Sequence, residues 1–239
     1  TTVDVFVDGE FVRSENVRFA PDSSGGIDEF TVTIDDPGTY DVSVRSTDGE
    51  TLASQTVTVK PPETVAVFDD PAGDDYGPGS YTYPTAGAFE EGTFDLRSVT
   101  VEQTPSIYQF TFEVENLNDG FGGDFGFSPH MFVMWVRDPD KSGGTTQTLA
   151  DLGANATFEA PWHYRVEISG FTKSAVTASG TAVTDDDGDA VRVRERVDSD
   201  ANTVELSIDR AAFGGVDARD LEIVPMLQSE DRGTLRPVA

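Results

Sequence analysis

Cysteine is absent from this 239-residue chain and histidine occurs only twice. The first absence removes disulfides, zinc–thiolate clusters and cysteine nucleophiles, so stability must come from packing and bound ions. The scarcity of histidine leaves His130 and His163, each beside aromatic or apolar residues and outside any nucleophile or zinc motif, and both read as structural. No Gly-x-x-x-x-Gly-Lys or Gly-x-Gly-x-x-Gly segment is available to cradle a phosphate. Long hydrophobic runs are missing as well: no stretch approaches the roughly 18 apolar residues of a membrane span. No signal peptide heads the chain, so export would require a targeting segment already removed. Positive charge is scarcest of all, with 16 Lys and Arg against 44 Asp and Glu and lysine only at Lys60, Lys141 and Lys173. A net charge of -28 excludes an ordinary nucleic-acid partner, whose phosphates that field would repel.

The acids are spread along the whole chain instead of forming a tail. At low ionic strength such a surface repels itself, whereas molar salt shortens the Debye length to about 3 Å. The composition therefore points to a protein of strong brine, from a halophilic archaeon.

What the sequence does contain is concentrated in Asp69-Asp70-Pro71-Ala72-Gly73-Asp74-Asp75-Tyr76-Gly77-Pro78-Gly79-Ser80-Tyr81-Thr82-Tyr83-Pro84. Carboxylates at Asp69, Asp70, Asp74 and Asp75 are separated by residues that force turns, the composition of a loop wrapped around a hard cation. Calcium takes six to eight oxygens at about 2.3–2.6 Å, which such a loop supplies from carboxylates and exposed carbonyls. Asp70, Asp74 and Asp75 are the expected ligands, with Asp69 flanking and Asp95 entering from the following strand. A cation there would turn carboxylate repulsion into a cross-link between loop and sheet. A second acidic run, Asp185-Asp186-Asp187-Gly188-Asp189, lacks the twelfth-position Glu of an EF-hand and reads as a solvated hairpin turn. Asn118-Asp119-Gly120 with Gly122-Gly123-Asp124 reads as a flexible acidic loop.

The periodicity is that of strands. Thr2–Val7 leads through Asp8-Gly9 into Phe11-Val12-Arg13; Phe30–Ile34, Thr39–Val44 and Thr56–Val59 follow, and Pro61-Pro62 forms a linker. Residues 1–60, with the strand Gly38-Thr39-Tyr40-Asp41-Val42-Ser43-Val44, resemble a compact immunoglobulin-like domain of archaeal surface proteins. A full sandwich of that type has about seven strands. Either an upstream strand was trimmed, another chain supplies it by edge addition, or a small sandwich manages with fewer. In residues 63–239, strands are expected at Val65–Phe68, Ser98–Val101, Tyr108–Val114, Tyr164–Ile168, Ala190–Arg194, Val204–Ile208 and Leu221–Met226. Phe132–Val136 is apolar throughout and suits a strand buried on both faces. Ala211–Gly214 suits one helical turn. The fold class is all-β: an immunoglobulin-like sandwich followed by a larger β-sandwich or jelly roll.

The second domain is similar to the glucodextranase C-terminal domain family, β-sandwiches related to carbohydrate-binding and DOMON-type modules. The matching residues begin with Asp70-Pro71-x-Gly73-Asp74-Asp75-x-Gly77-Pro78-Gly79-x-Tyr81-x-Tyr83-Pro84. They continue through Phe89-x-x-Gly92-x-Phe94-Asp95-Leu96, Gly126-Phe127-Ser128-Pro129, Ala160-Pro161-Trp162, Gly170-Phe171, Ile208 with Phe213-Gly214, and Leu235-Arg236-Pro237-Val238. The resemblance implies a noncatalytic accessory or surface module, extracellular or at the cell surface, with a polysaccharide or cell-envelope glycan as partner. The 44 acids create many accidental carboxylate pairs and none stands out as a glycosidase pair. Aromatic faces for sugar rings are sought at Trp162, Tyr164, Tyr76, Tyr81 and Phe121, with core packing competing for each. Asn155-Ala156-Thr157 is an N-glycosylation sequon. A rival reading makes the chain the subunit of an extracellular filament, sheath or surface layer, self-assembled through strand edges and calcium.

Overall fold

The computed structural model describes residues 2–16, 32, 34, 37–75, 85–148, 156–185, 188–231 and 234–235. The chain divides into two compact units, Thr1–Pro61 and Pro62–Ala239.

In the first unit, β1 (Thr2–Val7), β2 (Glu10–Asn16), β3 (Gly38–Ser46) and β4 (Thr51–Val59) form one antiparallel sheet in the order β2-β1-β3-β4. The β1–β2 hairpin closes through Asp8 and Gly9, both at positive φ (50° and 84°), the geometry that a two-residue primed turn demands. Alternation sorts the faces. Val3 and Val5 are buried, Val44 stands opposite Val5, and Val42 stands opposite Val7. The other face is tied by polar pairs such as Ser14 to Asp4 and Thr56 to Asp41. Most of the strand expected at Phe30–Ile34 lies outside the described residues.

The second unit is a sandwich of two five-stranded antiparallel sheets, ordered β13-β14-β7-β6-β5 and β12-β11-β8-β15-β16. The first comprises β5 (Glu63–Asp69), β6 (Leu96–Gln103), β7 (Ile107–Val114), β13 (Val193–Asp198) and β14 (Thr203–Asp209). The second comprises β8 (His130–Arg137), β11 (Tyr164–Ser169), β12 (Lys173–Thr177), β15 (Glu222–Asp231) and β16 (Thr234–Leu235). One core joins them, with Val99, Phe110, Phe112 and Leu206 from the first sheet meeting Phe132, Met134, Val166 and Ile168 from the second. Phe112 and Phe132 touch across it at 5.0 Å between ring centroids. A 3₁₀ turn at Arg210–Phe213, the expected helical turn, inserts Phe213 between Tyr108 and Tyr164.

Strand β8 is buried on both faces, as its unbroken apolar run predicts. Phe132, Met134 and Val136 face the sandwich, while Met131, Val133 and Trp135 join a second cluster with Trp162 and Phe158. That cluster is covered by a small sheet of β9 (Thr145–Gln147) and β10 (Thr157–Trp162), which the polar sequence Thr145-Thr146-Gln147 did not announce. Another difference is that the strand expected over Ala190–Arg194 begins only at Val193, Ala190 making an isolated bridge to Thr184. The cause is the preceding acidic turn: Asp185 and Asp189 close on each other through backbone and side chain, and the chain beyond it pairs back, Ala190 with Thr184 and Val191 N–H to the Val183 carbonyl, before it reaches β14. The run at Asn118–Asp124 is tied more firmly than its glycines suggest: Asp119 Oδ1 accepts from Gly123 N–H and from the Ser128 hydroxyl.

Candidate functional site

The acid-rich segment leaves β5 and is strapped to the start of β6. Asp70 N–H donates to the Arg97 carbonyl at 3.1 Å, and Gly73 N–H donates to Asp95 Oδ2 at 2.9 Å. Gly73 sits at φ +77°, a conformation that glycine adopts without strain. Asp95 is itself fixed by its neighbours, its N–H donating to the Gly92 carbonyl and its carbonyl accepting from Glu115 N–H. The sequence therefore builds a loop whose tip is held by a carboxylate from the next strand.

The electrostatics of this loop are unfavourable as they stand. The Asp70 carboxyl is pushed above the usual carboxylate range, first by burial and then by the nearby charges of Asp74 and Asp95, with Arg97 opposing. Asp95 is 4% exposed, and its Oδ1 has no hydrogen-bond partner among the described residues; Arg97 stands 3.6 Å from the other oxygen. A buried carboxylate oxygen without a donor is a costly group, and an oxygen-seeking cation is one species that completes it. Among the described residues, no group of three or more His, Asp or Glu stands close enough to hold an ion without adjustment. Of the five expected ligands, Asp70, Asp74 and Asp95 interact electrostatically; Asp69, exposed at the end of β5, and Asp75, half-buried, are not among the charges acting on Asp70.

Neither histidine is placed for acid–base work. His130 is fully buried, its Nε2 lies 3.0 Å from the Asn116 carbonyl, and burial lowers its pKa to about 4. His163 is 4% exposed; its Nδ1 accepts from Asp138 N–H at 3.1 Å, and burial lowers its pKa too.

The aromatic candidates divide. Trp162 is 2% exposed, donates its indole N–H to the Gln147 carbonyl and packs edge-on against Trp135 at 4.6 Å, so it offers no open face to a sugar. Tyr164 is buried between Phe213 and the Lys141 ammonium, the latter 4.6 Å from its ring centroid. Phe121 is half-buried and packs edge-on against Phe89. Tyr76, Tyr81 and Asn155 lie outside the described residues. A buried pair escaped sequence reading altogether: Arg165, 1% exposed, meets Glu167 at 2.8 Å beneath the Trp135 ring. Its register on β11 would have placed both residues on the face opposite the core.

These features define a class: a two-sheet antiparallel β-sandwich module with an acidic entry loop tied to its second strand. The family described as the C-terminal binding module, SLH-like, of glucodextranase matches residues 65–239, and the chain belongs to that family. No curated protein matches the chain. No helix among the described residues is long and apolar enough to cross a membrane.

Proposed function

We propose that this is a noncatalytic, extracellular or cell-surface protein of a halophilic archaeon that binds glycan or cell-envelope material and is stabilised by calcium. Membership of a binding-module family over residues 65–239 carries the binding part of this reading. The calcium part rests on the buried, donorless Asp95 Oδ1 beside Asp70 and Asp74. A divalent ion there, held by Asp70, Asp74 and Asp95 after a small closure of the loop, would offset their mutual repulsion and fasten β5 to β6. His130 is enclosed in the core, and the binding-module family over residues 65–239 supports a module without catalysis. The experiment is retention on insoluble polysaccharides and on envelope fractions in molar salt. Binding to at least one is expected, and release of the protein from all of them would refute the reading.

A second reading, assembly into a filament or surface layer, is favoured by one observation. Phe11 and Val12 on β2 and Leu52 on β4 are large apolar residues left 59%, 46% and 53% exposed on the outer strands of the first sheet. Light scattering with and without calcium separates the two, because a monomer in both conditions contradicts assembly.

A further inference from the structure

The second unit carries a cavity of about 320 Å³, within the roughly 300–1,000 Å³ range of small-ligand sites. It lies between the turn that follows β8 and the strands β11 and β12, away from the acidic loop in sequence and in sheet position. Its polar lining comes from Lys141, Ser142, His163, Thr177 and Ser179, with Gly144, Tyr164 and Ala178 completing the walls. In a chain with 44 acids, no lining residue among the described residues is Asp or Glu.

The lining is also held in place. The Lys141 ammonium rests over the Tyr164 ring and donates to its hydroxyl, which occupies one of its three N–H groups. No ion pair ties Lys141 to a carboxylate among the described residues, although acids outnumber bases 44 to 16. His163 fixes the turn that carries this lysine by accepting Asp138 N–H, and Lys141 N–H donates to the Asp138 carbonyl. Opposite, the hydroxyls of Thr177, Ser179 and Thr181 bond one another at 2.8–3.2 Å across a turn closed by Gly180 N–H to the Thr177 carbonyl. Hydroxyls that already share protons can turn a donor toward an incoming acceptor at little cost.

We propose that this cavity is a subsite for the oxyanion of an acidic sugar, a uronate carboxylate or a sugar sulfate, bound by Lys141 with Ser142, Thr177 and Ser179, while Tyr164, its ring buried, holds the lysine in place. A charge-assisted bond to the lysine is the strongest interaction available there. A neutral sugar can bond the hydroxyls but brings no charge to the lysine. The proposal rests on the glycan-binding reading and narrows it to acidic polymers.

The test is an NMR titration of the full chain in molar salt with glucuronate, glucose 6-sulfate and glucose. Either anionic sugar should shift the amides of Ser142, Gly144, Thr177 and Ser179, with glucose at least about tenfold weaker, and the stronger anion identifies carboxylate or sulfate. Lys141→Met should weaken the anion by about tenfold or more, and Ser179→Ala by a few-fold, with melting temperatures unchanged. Equal binding of glucose, an unaffected Lys141→Met variant, or silence at these amides would overturn the subsite. Polysaccharide retention separates the two claims. If Lys141→Met stays on the same polymers as the parent chain, the subsite fails and the module reading stands; if the sugars bind but no polymer or envelope fraction retains the protein, the reverse holds.

Discussion

His130 makes the fold sensitive to acid through a single enclosed ring. Its ring is stacked on Phe132 at 5.7 Å and 3°, close to Phe94 and Phe127, and has no exposed surface. Burial lowers its pKa from 6.5 to about 4, so between those values the unfolded chain binds a proton that the folded chain excludes. Stability is then full above the unfolded value and is lost as pH falls toward the folded one. At 1.36 kcal/mol per unit, a descent from pH 7 to pH 5 costs about 2 kcal/mol, and the full window about 3 kcal/mol. His163 is lowered in the same direction, so the measurement must isolate one ring. His130→Gln keeps an amide that can donate to the Asn116 carbonyl but cannot charge. Urea unfolding of both proteins at constant ionic strength should give parent-minus-variant stability that falls by about 2 kcal/mol from pH 7 to pH 5. Parallel pH profiles would refute the reasoning, because His130 would then titrate alike folded and unfolded.

Other expectations follow from the loop and from the flap over β8. Chelation at constant ionic strength should lower the melting temperature; an ion present at 100 times its Kd contributes about 2.7 kcal/mol, which is several degrees for a unit of this size. Asp95→Asn should abolish that calcium response, and a response surviving in the variant would move the ion elsewhere. Trp135→Ala removes the ring shared by Trp162, Phe158 and Arg165 and should cost about 3–5 kcal/mol in urea unfolding. A loss below 1 kcal/mol would mean that the flap contributes little to the fold.

The strands that alternate or run apolar without interruption were legible in the sequence. Val99, Val101, Phe110 and Phe112 announce their sheet by period two, and Phe132–Val136 announces a strand covered on both sides. What hid was structure whose cause lies elsewhere in the chain. β9 is a polar segment that forms because its partner β10, carrying Phe158 and Trp162, covers Trp135 and Val133, a demand that its own pattern does not express. Pro225 sits within β15, where a proline argues against a central strand. It is tolerated because, among the described residues, β16 pairs only with Glu230 and Asp231, which leaves the stretch around Pro225 paired with β8 on one side. In the loop, residue type pointed to Asp70, Asp74 and Asp75, with Asp69 flanking and Asp95 joining from further along the chain. The strap that brings Asp95 to Gly73, 22 positions away, is a contact that no local pattern expresses. The cavity around Lys141 was illegible for the same reason, since its lining is drawn from separate turns of ordinary composition.

The central claim, that this chain binds glycan or envelope material, is tested most directly by cosedimentation in molar salt with calcium. A panel of neutral and acidic polysaccharides alongside isolated envelopes would serve. The account predicts saturable retention on at least one of these, strongest on an acidic polymer. Protein left wholly in the supernatant throughout the panel, while remaining folded, would contradict it.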